Sequence, residues 1–359
     1  MKHYSIALIP GDGIGVDVIR EGKKVLDTIC ELDGGFSLTY ETFDWSCEYY
    51  AKHGKMMPDN GLELLKGFDS IYLGAVGYPG VPDHVSLWGL LLPIRRSFQQ
   101  YINIRPVKLL RGIKSPLANR DASDLDFIVI RENNEGEYSN MGGRIYEGTN
   151  LDMAIQNSVF TRTGVERVLR YAFKLAQEKG KRKRLTAATK SNGINHTMPF
   201  WDEYVHKIHQ EFPEIETNIV HIDALCAFFV SKPDVFDVVV ASNLFGDILT
   251  DLGAAIVGGM GIAPSANINP EKNFPSMFEP VHGSAPDIAG KGIANPIAAI
   301  WCASMMLEHF GEEKAAAAIM EAMQDVLEEG RVVTPDLGGR ATTEEVGSSI
   351  CDTLKKKLG

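Results

Sequence analysis

Apolar runs of strand length alternate with helical segments along most of the chain, and this alternation predicts an α/β fold. At 359 residues the chain is longer than one ordinary hydrophobic core supports, which predicts two domains. A third observation locates the chemistry. Residues 236–241 read as a buried strand, and Asn243-Leu244-Phe245-Gly246-Asp247-Ile248-Leu249-Thr250-Asp251 opens a helix directly after it. Asp247 and Asp251, four residues apart, share one helical face, with Leu244, Ile248, Leu249 and Leu252 covering the others. Like charges so placed destabilise an isolated helix by roughly 0.2–0.5 kcal/mol. Two readings follow. One is a solvated face with Asp247 near the positive helix N-terminus. The other is a divalent cation site, for which oxygen-only ligands suit Mg²⁺ or Mn²⁺.

The composition, 44% hydrophobic and 23% charged, is that of an ordinary globular protein. A formal net charge of −11 argues against nucleic acid as the main partner. A local cluster of arginines can still receive an anionic small molecule. The basic run 179–184 reads as a solvated turn between a helix and a strand. Met1-Lys2-His3-Tyr4 leads straight into a strand with no signal-peptide pattern. No apolar run approaches the ~20 residues a membrane span requires. Cys30, Cys47, Cys226, Cys302 and Cys351 are scattered, without a C-x-x-C pair. The expectation is a reduced, cytoplasmic protein.

In chain order, residues 4–9 form a strand, and Pro10-Gly11-Asp12-Gly13-Ile14-Gly15 turns into a helix running to about Glu31. The spacing G-x-G-x-G puts Val16 where a dinucleotide fingerprint has its third glycine, so a tight strand-to-helix turn is expected, not a Rossmann domain. Strands follow at 36–43 and 69–73, with a helix around 61–67 between them. Gly74-Ala75-Val76-Gly77 is a loop that lets a ligand approach backbone. Pro93 suits the first turn of a helix, which places Arg95 in that turn. Arg105 lies in the apolar run 101–107, and Arg131 ends the strand 126–130. Three arginines beside apolar segments suggest a fork of guanidiniums for carboxylates.

Residues 131–138 form a polar loop ending at Tyr138. A helix at 163–179 and a strand at 184–188 precede Lys190, and Asp223 follows a strand at 218–222. Both residues thus stand at strand carboxyl ends, where open α/β sheets carry their sites. Asp223 is available as a third oxygen ligand. The small-residue run 253–261 marks a return to the first domain. The glycine-dense stretch 278–296 suits a loop wrapped around a ligand, and helices at 297–310, 314–329 and 343–357 close the chain.

From Ile9-Pro10-Gly11-Asp12-Gly13-Ile14-Gly15 to the C-terminal helices, the chain resembles the β-decarboxylating dehydrogenases of 2-hydroxy acids, which include isocitrate and isopropylmalate dehydrogenases. The phrases 243–251 and 279–295 carry the likeness. Val129-Ile130-Arg131-Glu132-Asn133-Asn134-Glu135-Gly136-Glu137-Tyr138-Ser139 is most similar to the tartrate and D-malate dehydrogenase branch. The resemblance implies that family's own two-domain fold, with residues 1–102 and 253–359 in a large cofactor-binding domain and 103–252 in a central one. It implies a homodimer with shared active sites and 140–157 as an exchanged arm. Asp247 and Asp251, with Asp223 from the other subunit, would hold Mn²⁺ or Mg²⁺. Arg95, Arg105 and Arg131 would grip the substrate carboxylates. Lys190 from the other subunit would take the hydroxyl proton, and Tyr138 would protonate carbon after CO₂ leaves. Asn192 and Glu279 would lie near the nicotinamide, with His282, Gly283, Asp287, Ile288 and Asn295 around the adenosine.

Asp287-Ile288 stands where NADP-using relatives carry lysine and tyrosine. A carboxylate there bonds ribose hydroxyls and repels a 2′-phosphate, so the implied cofactor is NAD. A monovalent cation such as K⁺ is a further ion this reading allows. Gly89 and Leu91 replace the serine and asparagine of isocitrate-using relatives, and Trp88 replaces the glutamate of isopropylmalate enzymes. With Trp88 and Leu91 lining the pocket, a small substituent at C3 is favoured. The expected reaction is oxidative decarboxylation of D-malate to pyruvate and CO₂, with activity on L- and meso-tartrate. Isopropylmalate oxidation is the alternative. A non-catalytic regulatory subunit of the same fold is the rival from another class.

Overall fold

The computed structural model describes residues 1–359. β1 (Lys2–Gly11) enters α1 (Gly15–Asp33) through the glycine turn. Gly11 has φ +73°, and a Cβ there would lie 1.9 Å from the Ala75 carbonyl oxygen. The turn is therefore glycine-rich for backbone packing, as expected. Next come β2 (Phe36–Thr42), the short helices α2 (Cys47–His53) and α3 (Gly61–Leu65), and β3 (Ser70–Ala75).

The helix expected to start at Pro93 begins earlier. α4 (Asp83–Ser86) continues through a π-helical turn, Leu87–Leu91, into α5 (Leu92–Ser97). Proline has no N–H to donate and crowds the carbonyl four residues back. Here the Leu92 N–H reaches the Leu87 carbonyl, five residues back, and the widened turn absorbs the defect. Pro93 thus sits inside a longer helical stretch, with Arg95 and Arg96 in its last turn.

The central part of the chain supplies β4 (Ile102–Lys108), β5 (Asp126–Glu132), the hairpin β6 (Gly142–Ile145) and β7 (Met153–Gln156), α6 (Arg162–Glu178), β8 (Arg184–Thr189), α7 (Thr197–His209), β9 (Glu216–His221), α8 (Ile222–Ser231), β10 (Val238–Ala241) and α9 (Asn243–Ile256). It closes with β11 (Pro264–Ile268), β12 (Ser276–Pro280), α10 (Ile297–Phe310), α11 (Glu313–Glu329) and α12 (Thr343–Leu358). A strand reaching Ile222 was expected. Pairing with β8 instead stops at His221, so Asp223 lies in the first turn of α8.

The sheet order is β2-β1-β3-β12-β11-β4-β5-β10-β8-β9. Both flanks are parallel, but β12–β11, β11–β4 and β4–β5 are antiparallel. Antiparallel pairing through the middle distinguishes this α/β fold from the Rossmann sheet, as anticipated. The flank β2-β1-β3-β12-β11 comes from the two ends of the chain, and β4 to β9 from its centre. One hydrophobic cluster spans both, from Phe36 and Tyr72 to Phe127, Val239 and Trp201. β5, β10 and β8 run parallel with β9, so their carboxyl ends face one side. That shared edge carries Arg131, the start of α9, Lys190 and Asp223. No helix is long and apolar enough to cross a membrane.

Candidate active site

The first turns of α9 bring Asp247 to the end of β5 and against β4. Arg131 donates Nη1 to Asp247 and both Nε and Nη2 to Asn243 Oδ1, at 3.1 and 2.8 Å. Arg105 donates to Thr250 Oγ1 at 2.6 Å and lies 3.4 Å from Asp247 and 3.8 Å from Asp251. Tyr138 Oη donates to Asp247 Oδ2 at 2.9 Å. Gly246 permits the approach, since a Cβ there would meet the Arg131 side chain at 2.6 Å. Burial pushes the Asp247 carboxyl up, but the Arg131 and Arg105 guanidiniums and the Tyr138 hydroxyl outweigh it and hold it below the usual carboxylate range. Asp251 moves the opposite way, raised by burial and by the neighbouring Asp247 charge. Burial and the Asp247 carboxylate likewise raise the Tyr138 phenol.

Arg95 completes the fork from another direction. It donates to Glu279 Oε1 at 2.6 Å, with both side chains 8% exposed. Asn267 Nδ2 reaches the same oxygen at 2.7 Å. The Arg95 and Glu279 positions are therefore linked before any ligand arrives. Arg95, Arg105 and Arg131 stand against Asp247, Asp251 and Glu279, so positive and negative charges balance. Ile248, expected to cover an apolar side of α9, is 48% exposed. It faces away from the chain's own core.

Lys190 and Asp223 form a separate pair, with Nζ donating to Oδ1 at 2.7 Å. Asp223 is 68% exposed, and the lysine holds its carboxyl below the ordinary range. Within one chain no three acidic, histidine or cysteine side chains converge as a metal-ligating group, so Asp223 does not join Asp247 and Asp251 there. Asn192 is exposed in the turn after Lys190.

A cleft of about 680 Å³ runs between residues 76–83 and 283–286. At its edge His282 bonds the Gly283 carbonyl through Nδ1, while its Nε2 is buried without a partner. Burial lowers the His282 pKa. Asn295 donates to Asp336 Oδ2 at 2.9 Å and accepts the Ile297 N–H. Asp287 is exposed, and Ile288 packs against the main core. Trp88 and Leu91 lie half-buried on the π-helical turn.

Several contributors went unrecognised in the sequence. Glu137 accepts Ser242 Oγ at 2.7 Å and the Leu244 N–H at 3.0 Å, anchoring the start of α9. Glu135 does the same for α6, through the Thr161 N–H and hydroxyl at 2.9 and 2.8 Å. Glu132 folds back on the Asn134 and Glu135 N–H groups, and burial pushes its carboxyl up to about 7. The acidic loop is thus tied down by capping bonds. Arg96 donates to the Tyr138 carbonyl at 2.5 Å. The doubled Arg95-Arg96 was the only signal for it, and adjacency alone does not reveal where either side chain goes.

The model of the isocitrate/isopropylmalate dehydrogenase family matches residues 5–350. A probable tartrate dehydrogenase/decarboxylase of Bacillus subtilis (strain 168) is 57% identical, with 99% of each chain covered. The D-malate dehydrogenase [decarboxylating] of Escherichia coli (strain K12) is also 57% identical, again over 99% of each. An isocitrate dehydrogenase structure from Methylococcus capsulatus superposes with a TM-score of 0.88 at 35% identity, over 98% of this chain and 99% of that one. The chain belongs to the isocitrate/isopropylmalate dehydrogenase family.

Proposed function

We propose that this chain is a NAD- and divalent-metal-dependent dehydrogenase that converts D-malate to pyruvate and CO₂ and also acts on L- and meso-tartrate. The observation that carries the reading is the charge-balanced cluster of Arg95, Arg105 and Arg131 around Asp247, with the Tyr138 hydroxyl inside it. Asp247 and Asp251 would hold a dication and the three guanidiniums a doubly charged hydroxy-diacid, so the two together would leave the charge balance of the cluster unchanged. The 57% identical D-malate and tartrate relatives support the substrate choice. So does Trp88, where isopropylmalate enzymes have glutamate.

The donor set suits the metal. Asp247 and Asp251 are hard oxygen ligands, and the one cation within ion-pair distance of Asp251 is Arg105, at 3.8 Å. Asp223 of a second subunit completes the set. The cleft beside His282 suits NAD, because the unpartnered buried Nε2 offers a bond to an adenosine. When bound, NAD accepts the two electrons and hydrogen leaving C2, and the cation draws electron density onto the C2 oxygen. The chain's own residues do the rest. Lys190 of the partner subunit takes the C2 hydroxyl proton. The arginines orient the carboxylates so that the C3–C4 bond can break. Tyr138 then gives its proton to C3, and the enol becomes pyruvate. Asn192 and Glu279 would flank the nicotinamide, and Gly283, Asp287, Ile288 and Asn295 would border the adenosine.

The homodimer is supported by an apolar surface that one chain leaves open. Met141, Ile145, Leu151, Met153 and Ile155 on and beside the β6–β7 hairpin are exposed, as are Val230 and Ile248 on α8 and α9. The proposed domain division at 102–103 and 252–253 separates the strands of the two sheet flanks, with the second boundary falling inside α9. Five free cysteines agree with a reduced cytoplasm.

A panel of D-malate, the tartrates, isopropylmalate and isocitrate with Mn²⁺ and NAD tests the reading. D-malate leads in kcat/KM, and isopropylmalate ahead by about tenfold would overturn the substrate choice. The same assay with K⁺ against Na⁺ settles the monovalent ion. NADP is a poor substitute for NAD, and Asp287→Lys narrows the gap; equal use of both by the unaltered enzyme would refute this.

A further inference from the structure

Consecutive arginines of α5 reach opposite flanks of the sheet. Arg95 goes to Glu279 on β12. Arg96 crosses to the loop after β5, donating Nη2 to the Tyr138 carbonyl oxygen at 2.5 Å, while its guanidinium lies over the Trp88 ring, 4.7 Å from the centroid. We propose that Arg96 is a positioning residue that fixes Tyr138 with its hydroxyl on Asp247 and ties that placement to the helix carrying Trp88.

Three observations support this role. No carboxylate lies within ion-pair distance of Arg96, although Arg95, Arg105 and Arg131 each have one. A guanidinium present only for stability would ordinarily take such a partner. Second, the residues flanking Tyr138 are already secured: Glu137 to the start of α9, and Ser139 to the Asn157 carbonyl. The Tyr138 carbonyl is the remaining link, and Arg96 holds it. Third, Arg96 stacks and donates at once. A planar guanidinium can do both, whereas a lysine ammonium cannot keep this geometry. Trp88 is thereby covered by Arg96, so the bulk of the ring reaches the reaction through the Tyr138 loop as well as through pocket size.

The proposal rests on the reading of Tyr138 as the acid that protonates the enol at C3. That step transfers the phenolic proton to C3 of the enolate: the carbon–carbon π electrons form the new C–H bond, the C2–O⁻ becomes the carbonyl, and Tyr138 is left as the phenolate. If the acid is displaced, the enol leaves the site and ketonises in solvent, so pyruvate appears after NADH. A ring without its stacked guanidinium, or a carbonyl without its donor, loosens the hydroxyl by a fraction of its bond length.

The test is a double-mutant cycle of Arg96→Lys and Tyr138→Phe with D-malate, Mn²⁺ and NAD, following NADH and pyruvate separately. Arg96→Lys is expected to lower kcat about 10- to 100-fold with KM within about twofold, since misplacement of this order costs that much. It should also produce the pyruvate lag, while the melting temperature stays near that of the unaltered enzyme. In the Tyr138→Phe background the same change should add almost nothing. Trp88→Leu, which keeps the donor but loses the stack, gives a smaller lag of the same kind. An additive cycle, or a slowed Arg96→Lys enzyme without lag, overturns the proposal and leaves the acid assignment standing. A Tyr138→Phe enzyme with full rate and no lag removes the acid assignment itself, and the role of Arg96 with it.

Discussion

Around Asp247 the charged groups are crowded and share partners, whereas Lys190 and Asp223 meet one to one at the open ends of β8 and β9. Arg131 is 5% exposed and Arg105 9%, but Asp223 is 68% exposed. The two clusters stand on the same edge of one sheet, on strands separated by β10, and differ in what it costs to part them. A solvated ion pair is worth about 0–1 kcal/mol, so Lys190 and Asp223 can separate to meet other groups cheaply. A buried charge left unpaired costs far more, so the arginines keep their geometry until anions of the right shape replace their partners. In the proposed reaction the first cluster is the receptor for the substrate, and the second is the half-site offered to another subunit.

The largest test of that contrast mixes two inactive chains. Lys190→Ala and Asp247→Asn should each lose about 10³-fold or more in kcat, as expected for removing a base or a metal ligand. An equimolar mixture should recover about a quarter of full activity, because half the dimers are then hybrids holding one intact site of two. No recovery would put Lys190 and Asp247 in the site of a single protomer. Stability separates the clusters next. Glu279→Gln leaves Arg95 buried without its counter-charge and should cost about 3–5 kcal/mol in denaturant unfolding, against about 0–1 for Lys190→Ala. Equal costs would erase the distinction.

The smallest effect sharpens it from beside the receptor. Burial raises the Glu132 carboxyl from the ordinary 4.5 to about 7. The fold therefore favours its protonated form. Its contribution to stability is full below pH 4.5 and declines as pH rises through about 7. Glu132→Gln should flatten stability across that interval, and an unchanged slope would show that the group titrates normally.

Where the candidate residues sit on their elements could be read along the chain because those cues are local. The i, i+4 spacing of Asp247 and Asp251 needs only helical geometry, and α9 realises it. Lys190 just after β8 and Arg131 near the end of β5 depend on strands whose apolar runs are short and unbroken. Local cues failed where the outcome turned on a neighbour. Pro93 suggested a helix start, but the π-helical turn before it absorbed the missing donor. Ile248 fitted the apolar pattern of α9, yet it is 48% exposed.

Periodicity and turn chemistry determined the α/β class, and the long phrases 243–251 and 279–295 carried the likeness to the family whose model matches residues 5–350. The pairings came only with the tertiary structure: Arg95 with Glu279, 184 residues away, Arg131 with Asp247, 116 away, and Arg96 with Tyr138. These depend on strand order, and strand order is set by burial summed over the whole sheet. Each contact joins segments that carry no record of one another until the core has closed.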